Sequence, residues 1–256
     1  MRIITLNING IRAAAKKGFF TWMSRQKADV ICLQETRAHY DQIKDDRTFF
    51  PGRYHYYHED AQRKGYSGVA IYSRTQPDNV VHGLGWPDVD AEGRFLQVDY
   101  PGVSVVSLYL PSGTSGEERQ AFKYDVMERF RSFLTAQHDA GRELVICGDW
   151  NIAHRQIDIR NWRSNQKNSG FLPEERQWMD WVFGAAGFVD AFREVNQEGD
   201  QYTWWSNRGQ AWAKNVGWRI DYQVITPGLR DKVADASIYK RKRFSDHAPL
   251  TVDYDI

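Results

Sequence analysis

Short apolar runs recur along this chain, and several stop at an acid, an amide or an imidazole. Ile3-Ile4-Thr5-Leu6 ends at Asn7, Val30-Ile31-Cys32-Leu33 at Gln34-Glu35, and Leu144-Val145-Ile146-Cys147 at Gly148-Asp149-Trp150-Asn151. Richness in Val, Ile, Tyr and Phe, with stretches of alternating polarity, predicts eight strands. They are Arg2–Asn7, Asp29–Gln34, Val69–Ser73, Phe95–Tyr100, Val103–Leu110, Glu143–Gly148, Arg219–Ile225 and Leu250–Tyr254. Phe95, Val98, Val103 and Val105 read as a one-sided face, as do Ile220, Tyr222 and Val224. Helical spacing is rarer. Residues 11–26 carry Ala13-Ala14-Ala15, then Phe19, Phe20 and Met23. Over Gly116–Ala140, Phe122, Val126, Phe130 and Leu134 form one apolar stripe, with Ser115 and Glu118 as a capping pair and Gly141 as a stop. Pro173–Ala186 opens on Pro then two Glu, which suits a first turn, and reaches Gly187.

Strands outnumber helices, and the helices interrupt them. That order predicts an α/β protein with helices covering the outer faces of sheet. No low-complexity linker divides residues 1–256, so one domain is expected. A faint echo links the halves: an apolar run then Glu35 in the first, an apolar run then Asp149 in the second. Two similar halves packed sheet to sheet would bring both acids to one edge.

Bulk charge changes this picture little. The chain has 34 basic and 33 acidic residues, so attraction to a polyanion must come from local patches. Aromatics reach 14%, with 10 Trp, more than a core alone requires. Cys32 and Cys147, the two cysteines, lie in apolar runs and are expected as buried free thiols. No Cys and His spacing suggests zinc. No charged-then-apolar leader opens the sequence, and no apolar run nears the roughly 18 residues of a membrane span. A soluble, cytoplasmic protein with no membrane partner is expected, a monomer by default.

The polar residues at the strand ends suit one chemistry. Hydrolysing a phosphodiester moves negative charge onto an already anionic centre, which a divalent ion relieves. Glu35, Asp246 and the amide of Asn7 offer hard oxygen ligands, and Asn9 could join them through water. Asp221, inside Ile220–Val224, would be costly to bury alone. It could orient His247, fixing its tautomer so that the other nitrogen faces a phosphate; a salt bridge to Arg219 is the competing use. Asp149 and Asn151 share one side of an extended segment and could align a water and hold a phosphate oxygen. Tyr109 could donate to the phosphate or the leaving group.

These phrases together resemble the exonuclease III family of apurinic/apyrimidinic endonucleases. The resemblance rests on Asn7-Ile8-Asn9-Gly10-Ile11-Arg12, Leu33-Gln34-Glu35-Thr36, Gly65–Ala70, Gly93-Arg94, Tyr109-Leu110-Pro111, Gly148–Asn151, Phe171–Arg176, Gly217–Tyr222 and Ser245–Pro249, in family order. It implies a four-layer α/β sandwich, two packed mixed β-sheets flanked by helices. It also implies metal-dependent cleavage (Mg²⁺ or Mn²⁺) of double-stranded DNA 5′ to abasic sites, with 3′→5′ exonuclease or 3′-phosphatase activity on blocked 3′ ends. By position, it implies metal binding at Glu35, Asn7 and Asp246, and water alignment by Asp149. Phosphate contacts fall to Asn151 and His247, with Asp221 behind the His and Tyr109 as the site phenol. Trp204, Trp218 and Ile220 match an apolar pocket for a flipped abasic sugar, and Arg94 matches a DNA-contacting position. Trp205, Trp212, Asn207, Arg208, Lys214 and Asn215 cluster near these tryptophans and suggest further DNA contact; Lys240-Arg241-Lys242-Arg243 reads equally as phosphate attraction or a solvated loop. Ser112 departs from the family, where a long amide is usual, which puts one phosphate contact in doubt. The rival reading is a non-catalytic RNA-associated regulator resembling catabolite repression control proteins. A regulator has no need to keep Glu35, Asp149, Asn151, Asp221, Asp246 and His247 together. A lipid phosphodiesterase or phosphatase fits the Trp-rich segment less well.

Overall fold

The computed structural model describes residues 1–256. Strands and helices are numbered in chain order. The first sheet contains β1 (Arg2–Asn7), β2 (Val30–Gln34), β3 (His55–Glu59), β4 (Val69–Ser73), β11 (Val233–Ile238) and β12 (Leu250–Tyr254), in the order β11-β12-β1-β2-β4-β3. The second contains β5 (Asn79–His82), β6 (Phe95–Tyr100), β7 (Val103–Tyr109), β8 (Glu143–Asp149), β9 (Val189–Asp190) and β10 (Asp221–Ile225), in the order β5-β6-β7-β8-β10-β9. The helices are α1 (Ile11–Lys16), α2 (Phe19–Met23), α3 (Pro87–Asp90), α4 (Glu117–Asp139), α5 (Trp162–Asn165), α6 (Pro173–Phe183) and α7 (Ala191–Val195).

Three cores stack these elements into layers. Between the sheets lie Ile3, Val30, Cys32, Ile71, Val98, Val105, Val145, Cys147, Ile225 and Val252. Outside the first sheet, Ile4, Leu6 and Ile31 pack on Phe19, Phe20 and Met23 of α2 and on Phe244. Outside the second, Val106, Leu108, Ile146 and Val224 pack on Val126, Phe130 and Leu134 of α4 and on Trp178 and Met179 of α6. The result is the expected four-layer sandwich of two mixed sheets between helices. The central strands β1, β2, β4, β7 and β8 each feed two cores because alternate side chains point to opposite faces. Both cysteines are buried and free.

Polar contacts lock the sheets in register. Gln223 Nε2 of β10 donates to Ile3 O of β1 at 3.0 Å, and Gln34 Nε2 of β2 donates to Ser107 Oγ of β7 at 3.0 Å. Ser107 Oγ in turn donates to Leu33 O. These side chains are fully buried, and each is satisfied only when the sheets meet in one alignment.

The echo between halves is real at the level of strands. Each sheet holds one parallel pair joined by a helical crossover: β1 and β2 through α1 and α2, and β7 and β8 through α4. Asn7 lies beside Gln34 in the first pair, and Tyr109 beside Asp149 in the second.

Several local expectations are corrected. The helix over 11–26 divides at Gly18, whose φ of 83° is left-handed, so α1 and α2 are separate. Ser115 caps nothing: α4 begins after Gly116 without a side-chain cap, and Glu117 and Glu118 supply first-turn charge instead. Helix α6 stops at Phe183, short of Ala186. The strand over Arg219–Ile225 begins only at Asp221, because the Arg219 N–H donates to Asp158 O and the Ile220 N–H to Thr203 Oγ1 instead of joining the ladder. Phe95 does not share a face with Val98, Val103 and Val105; it packs in the helix-side core and they pack between the sheets. Ile220 likewise separates from Tyr222 and Val224 and joins a small cluster with Ala153, Ile159 and Phe171. No helix is long and apolar enough to cross a membrane.

Candidate active site

Strand ends from both sheets meet at one edge of the sandwich. Three residues just beyond β1, β2 and β8 hold left-handed backbone although none is glycine: Asn9 (φ 45°), Glu35 (φ 52°) and Asn151 (φ 52°). Such conformations carry strain and cluster at functional sites. Here they turn three side chains back toward a common cavity of about 960 Å³. Asn9, Glu35, Arg94, Tyr109, Asp149, Asn151, Trp204, Trp218, Ile220, Asp246 and His247 all line it.

Two of the expected site residues stand behind that wall. Asn7 is fully buried, and its Nδ2 donates to Glu35 Oε1 and to Asp149 Oδ2, both at 2.8 Å. Its Oδ1 accepts from the Asn9 backbone at 3.0 Å. One amide of the first sheet therefore spaces a carboxylate from each sheet. Asp221 is the other, also fully buried.

Asp221 stands directly opposite Asp149 on the antiparallel pair β8 and β10. Like charges in that position repel, and His247 resolves the conflict. Its Nδ1 donates to Asp221 Oδ2 at 2.8 Å, and its Nε2 lies 3.9 Å from Asp149 Oδ2. Burial alone would lower His247, but Asp221, then Asp149 and Asp246, outweigh it and push the imidazole up to about 10. The ring is therefore a cation at neutral pH, with Nε2 facing the cavity side. Burial first, and Asp221 second, push Asp149 up to about 7, against His247 and the Asn7 bond. Asp149 is thus poised to exchange a proton near neutrality. Arg219 does not compete for Asp221. Its Nε donates to Asp158 Oδ1 at 2.8 Å and its other arm pairs with Asp190 at 2.7 Å.

The remaining wall is equally ordered. Asn9 Nδ2 donates to Asp246 Oδ1 at 2.6 Å, and Trp204 Nε1 donates to Asp246 Oδ2 at 3.2 Å. The Asp246 carboxyl stays below its usual range, because His247 and these donors overcome the effect of burial. Asn151 Nδ2 donates to Leu110 O, and its backbone N–H donates to Asp149 Oδ1. Tyr109 is held well above its usual pKa, first by burial and then by the Glu35 charge. Its phenol therefore keeps its proton and can donate it in a hydrogen bond.

Trp204 and Trp218 meet edge to face, centroids 5.9 Å apart at 89°. With Ile220 they form an aromatic and aliphatic wall beside Asp246 and His247. Trp205 and Trp212 do not join it. Trp205 is buried on Tyr202, Ala211 and Ala248, its Nε1 donating to Asn215 Oδ1, and Trp212 packs on its edge. Arg94 reaches the cavity almost wholly buried. Its guanidinium donates to Glu92, to Tyr109 O at 2.9 Å and to Tyr66 Oη at 3.1 Å, and lies over the Tyr109 ring at 4.5 Å. That geometry makes it a support for Tyr109. Ser112 also lines the cavity, its Oγ 3.0 Å from Thr114 Oγ1.

Sequence reading overlooked two features. Arg37, itself left-handed (φ 50°), pairs with Glu35, its Nε donating to Oε2 at 2.8 Å. Lys123 is buried behind Asn151 and paired with Glu175. The signal for Lys123 was present: it falls on the apolar stripe of α4 with Met127, Phe130 and Leu134, where a lone cation needs a partner.

The donor chemistry fits a hard divalent ion. Asp149, Asp221 and His247 present ligand atoms within 4.8 Å of one another, but the protonated His247 ring is bonded to Asp221, so the oxygen donors are what suit an ion. The carboxylates of Glu35 and Asp246 line the same cavity and bring further oxygen donors.

Comparison with known proteins gives the same direction. Residues 4–247 match the Endonuclease/Exonuclease/phosphatase family. The chain is 38% identical to an exodeoxyribonuclease of Bacillus subtilis over 259 residues, covering all of both proteins. It is 38% identical to the DNA repair nuclease APEX1 of Danio rerio over 254 residues, 98% of this chain and 81% of that protein. An AP endonuclease from Archaeoglobus fulgidus superposes with a TM-score of 0.91 at 28% identity, covering both chains in full. The 3′-5′ exonuclease NExo from Neisseria meningitidis superposes at 0.89 with 26% identity, again over both full chains. With its sandwich, its converging carboxylates and these full-length matches, the chain belongs to the endonuclease/exonuclease/phosphatase family, in the branch of exodeoxyribonucleases and AP endonucleases.

Proposed function

We propose that this chain is a DNA-repair phosphodiesterase that hydrolyses the backbone 5′ to abasic sites, with Mg²⁺ or Mn²⁺. One observation carries the reading: acids, amides, a phenol and a charged imidazole from both sheets line a single cavity beside an aromatic pocket. A regulator that only bound nucleic acid would not need Asp149 and Asp221 opposed at a buried site with a cation between them. The relatives named as exodeoxyribonuclease and DNA repair nuclease support hydrolysis. A Neisseria 3′ phosphatase solved with product DNA hairpin supports accompanying work on 3′ ends.

Glu35 and Asp246 are the residues best placed to hold the ion. His247 Nδ1 is committed to Asp221, so the imidazole serves the reaction as a donor and not as a ligand. An ion held there would supply Lewis acidity, relieving the negative charge that builds up as the phosphodiester is cleaved. Asn7 keeps Glu35 and Asp149 at fixed spacing. Asp149 accepts a proton from water and aligns it for in-line attack on phosphorus. His247, oriented by Asp221, donates from Nε2 to a phosphate oxygen, and the Tyr109 phenol donates beside it. Asn151 completes the phosphate contacts. Trp204, Trp218 and Ile220 receive a flipped sugar that has no base, where a normal nucleotide would not fit.

The test is incubation of an end-labelled duplex carrying one tetrahydrofuran abasic analogue, with Mg²⁺, Mn²⁺ or EDTA, beside an undamaged duplex. The expected product is a single metal-dependent cut 5′ to the analogue. Asp149→Asn should remove turnover by about 100-fold or more while retaining abasic-DNA binding. No cut by folded wild-type protein with either metal rejects the reading, and undiminished turnover in Asp149→Asn rejects the role of that residue.

A further inference from the structure

The most deeply buried ion pair in the protein lies just behind the site and is so far without a role. Lys123 of α4 and Glu175 of α6 are both fully inaccessible, with Nζ and Oε1 2.5 Å apart. Neither spends its hydrogen bonds on its own helix alone. Lys123 Nζ also donates to the backbone carbonyl of Asn151 at 2.8 Å. Glu175 Oε2 accepts from the backbone N–H of Gly170 at 2.6 Å and of Leu172 at 3.0 Å. Gln120 and Ser169 donate to its Oε1.

The two segments so gripped are the two sides of the active site. On one side is the turn Asp149-Trp150-Asn151, which carries the water-aligning acid and a phosphate-contacting amide. On the other is the loop at 168–172, which lines the cavity against Trp218. They meet at Gly170. A Cβ there would lie 3.0 Å from the Trp218 ring and 3.1 Å from Asn151 O. Gly170 O in turn accepts from Ala153 N–H at 2.8 Å. The carbonyl that Lys123 grips and the N–H that Glu175 grips therefore belong to the two sides of one tight contact. Desolvating two charges costs more than hydrophobic packing of the same volume, so stability alone is a poor reason for such a pair.

We infer that Lys123 and Glu175 are positioning residues that fix the register between the abasic-sugar pocket and the hydrolytic turn. The inference rests on the proposed activity. The pair touches no substrate. It sets how far the Trp218 wall stands from Asn151, and so where the scissile phosphorus lies relative to Asp149 once the sugar is seated. A small molecule that never enters the pocket does not need that register.

The test uses the full-length Lys123→Met/Glu175→Gln double variant, which removes both charges together at similar volume and leaves an acceptor for Gly170. Single-turnover incision of the tetrahydrofuran duplex, binding of that duplex in EDTA, and hydrolysis of bis(p-nitrophenyl) phosphate are measured for wild type and variant. Incision should fall about 10- to 100-fold. Binding and hydrolysis of the small diester should stay within about threefold. Incision within threefold of wild type overturns the inference. Parallel loss of incision and small-diester hydrolysis also overturns it, since that marks general disruption of the catalytic turn. Wild-type protein that fails to incise rejects the proposed function and the inference with it, whereas wild-type incision with an unaffected variant rejects the inference alone.

Discussion

At the scale of single residues, the chemistry centres on a repulsion that the fold builds and then answers. Asp149 and Asp221 are cross-strand partners, and the cation that separates them, His247, arrives from a distant segment. Both acids were legible because each ends or interrupts an apolar run, and the His because it follows Asp246 just before Ala248-Pro249-Leu250. Their linkage was legible because a buried Asp demands a partner; that the partner is His247 and not Arg219 required the structure. Asn7 was read as a metal ligand, and its position behind Glu35 and Asp149 had no signature in the sequence, since an amide spacing two acids looks the same as an amide binding an ion. The His–Asp linkage has a direct spectroscopic consequence. In wild-type protein in EDTA, the His247 ring should stay protonated until about pH 10. In Asp221→Asn, it should lose its proton near or below neutrality, and incision should drop roughly 100-fold. NMR titration of the ring in both proteins decides this; coincident titrations contradict the assigned partnership.

At the scale of elements, the central strands were readable and the edges were not. β1, β2, β7 and β8 are apolar on both faces and stood out. β3, β5 and β11 are sheet edges or near-edges with His, Asn, Asp and Ser among their residues, and their pairing comes from neighbours that a single sequence does not reveal. Helix α4 was recognised, yet the lone lysine on its buried stripe was not singled out. Gly148 sits where β8 passes β7, and a Cβ would collide with the Leu108 carbonyl. Gly148→Ala should therefore part the strands just before the Tyr109 and Asp149 pair, costing about 1–3 kcal/mol by urea denaturation and slowing incision. Unchanged stability and rate contradict that packing. Asp158 ties the segment bearing Trp218 and Ile220 to the body of the fold, accepting from Arg219 and Arg193. Burial alone would raise its carboxyl, but Arg219 and Arg193 bring it down to about 2. A depressed acid stabilises the fold above its unfolded value and loses that contribution as pH falls through the folded one. The contribution is about 2 kcal/mol at neutral pH and fades between about pH 4 and pH 2. Asp158→Asn should be less stable than wild type at pH 7, and the gap should narrow on acidification across that window. A gap that is constant with pH rejects the pair as its source.

At the scale of the whole molecule, function follows from stacking two sheets so that the ends of their parallel pairs share one edge. Neither sheet alone holds the site: Asn7, Glu35 and Asp246 come from the first sheet and its loops, Tyr109, Asp149 and Asp221 from the second. The buried bonds of Gln34 and Gln223 across the interface hold that alignment. The sequence carried this arrangement faintly, in the repeated motif of an apolar run ended by an acid. The family resemblance singled out Trp204 and Trp218 for the cavity, whereas composition alone did not exclude Trp205 and Trp212, which differ only in what packs around them. Net charge near zero likewise said nothing of the cavity. The central claim is that water, aligned by Asp149, attacks the phosphorus on the 5′ side of an abasic residue. The most direct test is incision of a tetrahydrofuran duplex in ¹⁸O-labelled water with Mg²⁺, followed by mass analysis of both fragments. The account predicts an unlabelled 3′-hydroxyl on the upstream fragment and one ¹⁸O in the 5′-phosphate of the fragment carrying the analogue. A cut on the 3′ side, or a 5′-phosphate without label, would contradict it.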